Sequence, residues 1–436
     1  MAYRKFAGVV TLMTSAALGL TVPAQAAPAA SPCGASSMVK ETLPNGTTWQ
    51  LCWRINDKAG LVLDHVFVAT KRYPAPVQVL DSIRLAQLNV PYDTGDTEYD
   101  DLTQIGLGSY GLETLTGDDC KGGSIRLGSD GSSEPQRRKV LCVSAEPRGL
   151  AYRLHSWDDG GAGPSAEPQD KVYSQQGHDL VLRTVSKLGW YEYVTEYRLH
   201  DDGQITARLG ATGDLAPSEY STSSTGWPIG KGPAKDYATM HYHNAFWRVD
   251  FNIAGKGGEK VEQLDTTTAG RGSVTAKLKT TRTAVTNEGT FTKVNQRSWR
   301  LVSPTSKNAD GHQRSYELAL GATDQYQGHP ETKPDVTFTQ KDACEKWASD
   351  NNSDPECPLD KKTIIDFAKD KQKLTDPVMW VRVGFHHIPR DEDQSPMPLH
   401  WQGFDLLPRD FTEMNPLTPP GLAGANGNTS GDGSQG

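Results

Sequence analysis

His241-Tyr242-His243 is the segment of this 436-residue chain with the clearest capacity for chemistry. In an extended strand, side chains two positions apart point to the same face. Ala245, Trp247, Val249, Phe251 and Ile253 share the parity of the two histidines, so both imidazoles belong to the apolar, inward face of a strand. Neutral imidazoles buried side by side need partners for their ring nitrogens, and a transition metal supplies one. Far downstream, Val381, Val383, Phe385 and His387 share a parity, while His386 faces the other way. His387, rather than His386, is therefore the better candidate for a third imidazole by geometry, provided the strand runs that far. Three imidazoles with open positions suit Cu(II), Zn(II) or Fe(II), and the affinity order favours copper in an oxidising compartment. The plain alternative is that His241 and His243 are ordinary, partly buried histidines.

Other groups are less specific. Asp250 and Asn252 lie on the polar face of the histidine strand, and Asp376 begins the strand that leads to His387. Together they offer oxygens for a hard cation such as Ca2+, or form a solvated carboxylate pair. Asp391-Glu392-Asp393 reads as a solvated turn. Tyr191, Tyr193 and Tyr197 form an aromatic stripe at strand spacing, which reads as core.

The elements that must hold these residues are mostly strands. Thr48–Arg54 and Leu61–Thr70 are strand-like, and Val378–Phe385 is apolar on both faces, as a central strand is. Tyr191–Leu199, the turn Asp201-Asp202-Gly203 and Gln204–Leu209 read as a hairpin. Ser273–Lys279 also alternates. Two short helices are expected, Val79–Leu88 and Lys361–Lys371. The class is mostly β, a large antiparallel β-sandwich of two packed sheets with few short helices.

Residues 1–26 read as a secretory signal peptide. Arg4 and Lys5 precede the short apolar run Phe6–Leu20, and Ala24-Gln25-Ala26 is a small-x-small cleavage site. The run is too short for a good membrane span. Residues 27–47 read as an N-terminal extension, 48–416 as one domain, and 417–436, rich in Gly, Asn and Ser, as a disordered tail. Export makes the six cysteines disulfide candidates. The simplest pairing is sequential: Cys33–Cys52, Cys120–Cys142 and Cys344–Cys357, one of roughly fifteen connectivities. A formal net charge of −8 argues against an electrostatic binder of nucleic acid or membranes.

The joint pattern resembles the catalytic domain of the copper amine oxidases. Gly189-Trp190-Tyr191-Glu192-Tyr193 is similar to the family's Asn-Tyr-Asp/Glu-Tyr motif, whose first Tyr becomes topaquinone. His241-Tyr242-His243 with Arg248-Val249-Asp250 resembles its His-x-His motif. His387-Ile388-Pro389-Arg390, Glu392-Asp393, Met397-Pro398, Trp401, Phe404 and Asn415-Pro416 resemble its C-terminal signature. Val90-Pro91-Tyr92 and Gly60-Leu61-Val62-Leu63 match upstream segments, so the likeness spans Thr48 to Pro416.

The resemblance implies a secreted oxidase that takes a primary amine, O2 and water to aldehyde, ammonia and hydrogen peroxide. It implies Tyr191 as the quinone precursor, His241, His243 and His387 as copper ligands, and Tyr92 bonded to the cofactor's oxygen. It also implies a peripheral metal at Asp250, Asn252 and Asp376, a Cys120–Cys142 disulfide and a homodimer. Two departures stand out. Gly106-Leu107-Gly108-Ser109-Tyr110-Gly111-Leu112 matches the segment carrying the family's general base, and Gly106 stands where that Asp is expected. Asp100 and Asp101 are the nearby carboxylates that a shifted loop would offer. Trp190 stands where the family has Asn. These departures support an alternative, a copper-binding relative that has lost turnover. A third reading is an unrelated exported sandwich that binds carbohydrate or protein.

Overall fold

Period-two alternation decides most of the architecture. In the computed structural model of the chain the described residues are 33–419, apart from 94–97, 159–168, 216–219, 222–225, 231–235, 256, 270–276, 327 and 352–356. Two large antiparallel sheets carry the fold. The first runs, in spatial order, Met38–Thr42, Thr48–Asn56, Gly60–Ala69, Val77–Pro91, His241–Phe251, Pro377–His387, Val336–Gln340 and Gly289–Phe291, with Glu98–Asp100 paired to the end of Val77–Pro91. The second runs Lys277–Val285, Lys260–Ala269, Ser298–Lys307, Gln313–Leu320, Met397–Arg409, Ile205–Gly213, Tyr191–His200, Gln169–Leu188, Arg137–Asp158 and Ser124–Ser129. The expected β class stands. The core lies between the sheets: the Tyr197 hydroxyl of the second donates to the Leu61 and Ile83 carbonyls of the first, and its ring meets Trp247 edge-on at 5.6 Å.

The hairpin of Tyr191–His200 and Ile205–Gly213 forms as expected, and Pro377–His387 is a central strand with both faces covered. The helix expected over Val79–Leu88 is not one. That stretch lies in the strand Val77–Pro91, flanked by Gly60–Ala69 and His241–Phe251. Its register against His241–Phe251 shifts twice, between Phe246 and Trp247 and between Asp250 and Phe251. Each bulge inserts an extra residue and flips the parity, so the apolar positions fall at a spacing that mimics a helix. Of Lys361–Lys371 only Ile364–Phe367 is helical, started by Thr363 in a capping box with Asp366.

The domain also begins earlier than Thr48. Met38–Thr42 pairs with Thr48–Asn56, and Val39 and Leu43 are buried in the core. The expected signal peptide and nearly all of the expected tail lie outside the described residues, as does most of Ser273–Lys279. The disulfides Cys33–Cys52, Cys120–Cys142 and Cys344–Cys357 are all formed. No described helix is long and apolar enough to cross a membrane.

Candidate metal centre

His241 and His387 face each other directly across two hydrogen-bonded strands, with His243 two residues further along the same face. All three are buried, and their ligand atoms lie within 4.8 Å of one another. Tyr191 arrives from the opposite sheet. The two-residue turn Gly189-Trp190 closes Leu188 against Tyr191, with Gly189 at φ +60° supplying the left-handed conformation such turns need. Tyr191 therefore starts its strand pointing into the gap between the sheets. Its hydroxyl lies 2.9 Å from His241 Nε2 and 3.1 Å from His387 Nδ1.

The hydrogen bonds around the imidazoles set which nitrogens carry protons. His241 Nδ1 lies 3.1 Å from the Thr239 carbonyl, which only accepts, so the proton sits on Nδ1 and leaves a lone pair on Nε2. His387 Nε2 donates to Asp393 Oδ2 at 3.0 Å, which leaves a lone pair on Nδ1. Those two lone pairs face each other at 3.2 Å. The single phenol proton of Tyr191 cannot serve both. His243 Nε2 is buried with no hydrogen-bond partner, while its Nδ1 lies 3.3 Å from the Tyr193 hydroxyl. Two facing lone pairs and an unpartnered His243 nitrogen thus share one phenol proton, and a buried cation resolves that conflict. The donor set fits copper. Burial, then the neighbouring His387, pulls His241 down to about 3, and burial holds His243 and His387 below the usual histidine range. All three are neutral at pH 7, the form that binds metal.

Asp393 was expected in a solvated turn. Instead it is fully buried and accepts from His387 Nε2, His400 Nε2 at 3.2 Å and the Arg390 backbone amide at 3.0 Å. Such a carboxylate fixes the tautomer and orientation of a ligand histidine. The acidic run hid it, because composition alone does not show which member of Asp391-Glu392-Asp393 turns inward. His400, on the Met397–Arg409 strand, carried no sequence signal. His386 stacks on Tyr242 at 4.2 Å, away from the centre, as its parity required. Tyr92 bridges to His241 in the backbone, with ring centroids 5.0 Å apart. It lines a cavity of about 290 Å3 that also reaches Tyr191, Trp190 and Asp101.

Around Asp250 and Asn252, two residues of the expected peripheral metal site, side chains already make charged and polar contacts. The Lys341 ammonium stands between Asp250 at 3.0 Å and Asp81 at 3.2 Å, and Arg248 reaches Asp250 at 3.4 Å. The Asn252 amide donates to Asp81 and its carbonyl accepts from the Gly257 amide. Against the downward pull of burial, the bonds to Asp250 and Asp81 hold Lys341 above the usual lysine range. The positive charge these carboxylates require is already supplied by a side chain. A hard cation would need roughly six to eight oxygens at this place.

The chain matches the family model described as copper amine oxidase, enzyme domain, over residues 40–419. A peroxisomal copper-containing amine oxidase, alpha 3, of Arabidopsis thaliana is 26% identical over 423 residues, covering 88% of this chain and 60% of that protein. The primary amine oxidase of Klebsiella aerogenes is 26% identical over 404 residues, covering 84% and 52%. A copper-containing benzylamine oxidase from Hansenula polymorpha superposes with a TM-score of 0.70 at 18% identity, over 87% of this chain and 62% of that one, which speaks for the fold. The chain spans 60% or less of the length of these two curated relatives. With its enzyme-domain match running nearly from end to end of the described structure, the chain belongs to the copper amine oxidase family.

Proposed function

We propose that this chain oxidises primary amines with dioxygen, with copper held by His241, His243 and His387 and a quinone made from Tyr191. The observation that carries the reading is a cluster of three buried imidazoles, two of them within hydrogen-bond distance of one buried phenol from the facing sheet. Bound copper and the quinone would supply the carbonyl that captures the amine and the site that accepts its electrons. The protein's own part is positional. Asp393 and Thr239 orient His387 and His241, and Tyr92, which lines the same cavity as Tyr191, would bond the oxygen of the oxidised ring.

Val90, Ile105 and Leu188 give the cavity wall an aliphatic part, Tyr92, Tyr99 and Trp190 give it aromatic rings, and Asp101 and the tyrosine hydroxyls make it polar in nearly equal measure. The aromatic rings suit a monoamine with an aromatic tail. Export by residues 1–26 would place the protein outside the reducing cytosol, in keeping with its three disulfides. A homodimer is carried over from the family resemblance. Gly106 favours a second reading, a copper-binding relative without turnover. Copper-loaded, aerated protein tested for peroxide with 2-phenylethylamine and 1,4-diaminobutane separates these. Peroxide is expected, with the higher kcat/KM for the aromatic monoamine. Copper binding with no peroxide from either amine would favour the second reading.

A further inference from the structure

Oxidation of an amine at this site requires a group that takes the proton from the carbon bearing the nitrogen. Gly106 has no side chain to do so, and its backbone leaves no place for one. It lies at φ +94°, and a Cβ built there would stand 2.4 Å from the Asp57 carbonyl oxygen. Glu98 is engaged by Asn89 at 2.6 Å and His329 at 2.5 Å. Asp100 accepts from Asn89 at 3.1 Å with one oxygen and from Ser349 at 3.1 Å with the other. Neither lines the cavity at Tyr191. Asp101 does, and it is the one carboxylate among the described lining residues.

The placement of Asp101 is built rather than incidental. Glu98–Asp100 pairs back on Asn89–Pro91, so the chain returns beside the strand that leads to Tyr92. The helical turn Asp101–Gln104 is then pinned at several points. The Leu102 amide donates to Gln87 Oε1 at 3.2 Å, Gln87 Nε2 donates to Thr103 Oγ1 at 2.9 Å, and Leu102 is fully buried. The Ile105 and Gly106 amides both donate to the Asp101 carbonyl, at 3.0 and 2.8 Å. The Asp101 residue is 6% exposed and lines the cavity together with Tyr92 and Tyr191. A buried acidic residue that lines a reactant-sized space beside the site's phenol is placed for acid–base work.

We propose that Asp101 is the proton-abstracting base of this chain, moved five residues ahead of Gly106. The assignment rests on the amine-oxidation reading above. In the step, the C–H bond of the amine-bearing carbon breaks and an O–H bond forms on the Asp101 carboxylate. A quinone made from Tyr191 would accept the bonding pair, and dioxygen, the co-substrate of the proposed reaction, would take the two electrons with two protons as hydrogen peroxide.

The test compares copper-loaded, aerated wild type with Asp101→Asn and Asp101→Ala. Phenylhydrazine labelling of residue 191 reports the quinone, and peroxide release from 2-phenylethylamine reports turnover. The expected result is equal labelling in all three, with kcat of both variants down by about 10²–10⁴-fold. Added formate should restore part of the rate in Asp101→Ala, which a merely structural role would not allow. Either variant labelling normally and turning over within about threefold of wild type overturns the assignment. So does loss of labelling together with turnover, which would make Asp101 a structural residue. A labelled wild type that releases no peroxide also overturns it, since the base would then be present and idle. A wild type that does not label refutes the amine-oxidation reading itself, and the assignment falls with it.

Discussion

Restoring the family's acid at its aligned position, Gly106→Asp, is the most instructive perturbation, because sequence and structure predict opposite results. Alignment alone expects a gain of activity. The structure expects damage. A left-handed backbone costs a residue with a Cβ about 1–2 kcal/mol. The added Cβ would also meet the Asp57 carbonyl at 2.4 Å, and that carbonyl accepts the Gly108 amide at 3.0 Å. Forcing an atom into a packed site adds about 1–3 kcal/mol. The sum is a loss of about 2–5 kcal/mol. For a domain of nearly 400 residues this lowers the thermal midpoint by about 2–6 °C. Gly106→Ala isolates the backbone effect and should lose nearly as much. Urea and thermal unfolding of both variants, with turnover beside them, make the assay. Turnover of Gly106→Asp should not rise, and it should fall if the shift reaches Asp101 through the Gly106 amide that bonds its carbonyl at 2.8 Å. An unaltered midpoint with a rise in turnover would refute the reasoning, because position 106 would then face the cavity.

Asp393→Asn removes the carboxylate that fixes His387 and should weaken copper binding by about 10–100-fold, read by competition with a chelator; unchanged affinity would contradict the tautomer argument. Glu288 tests the pH response of the fold. Burial, then a hydrogen bond shared with Asp370, pushes its carboxyl up from 4.5 to about 7. The folded chain therefore holds this proton more tightly than the unfolded one. Its favourable contribution is complete below pH 4.5 and is lost as pH rises through about 7. The urea midpoint of wild type should fall between pH 5 and 8 by on the order of 1–3 kcal/mol more than that of Glu288→Gln, and equal slopes would contradict it. Lys341→Ala should cost about 1–3 kcal/mol by leaving Asp81 and Asp250 without their shared cation. Calcium and chelators should leave the wild-type midpoint unmoved; a calcium-dependent rise would restore the peripheral metal.

The histidine centre was legible because strand parity is strict. His241, His243 and His387 fall on the inward face by counting alone, and the sheet register then sets His241 against His387. Tyr191 was reachable only through motif resemblance, since nothing in its spacing tells which residue of the facing sheet it meets. Val77–Pro91 was misread where bulges break the alternation that parity relies on. The supporting groups were the least legible. Asp393 and Lys341 are polar residues whose roles depend on contacts across long chain separations, Lys341 meeting Asp81 and Asp250 from far along the chain. Asp101 became distinguishable from Asp100 only through the cavity at Tyr191, which Asp101 lines and Asp100 does not.

The most direct test follows the chemistry of residue 191. Metal-free protein is loaded with Cu(II) under argon, dioxygen is admitted, and the Tyr191 peptide is analysed by mass spectrometry beside His243→Ala. The account predicts two oxygens gained and two hydrogens lost on Tyr191, only when copper and dioxygen are both present, and no change in the variant. An unmodified Tyr191 in copper-loaded, aerated wild type would contradict it.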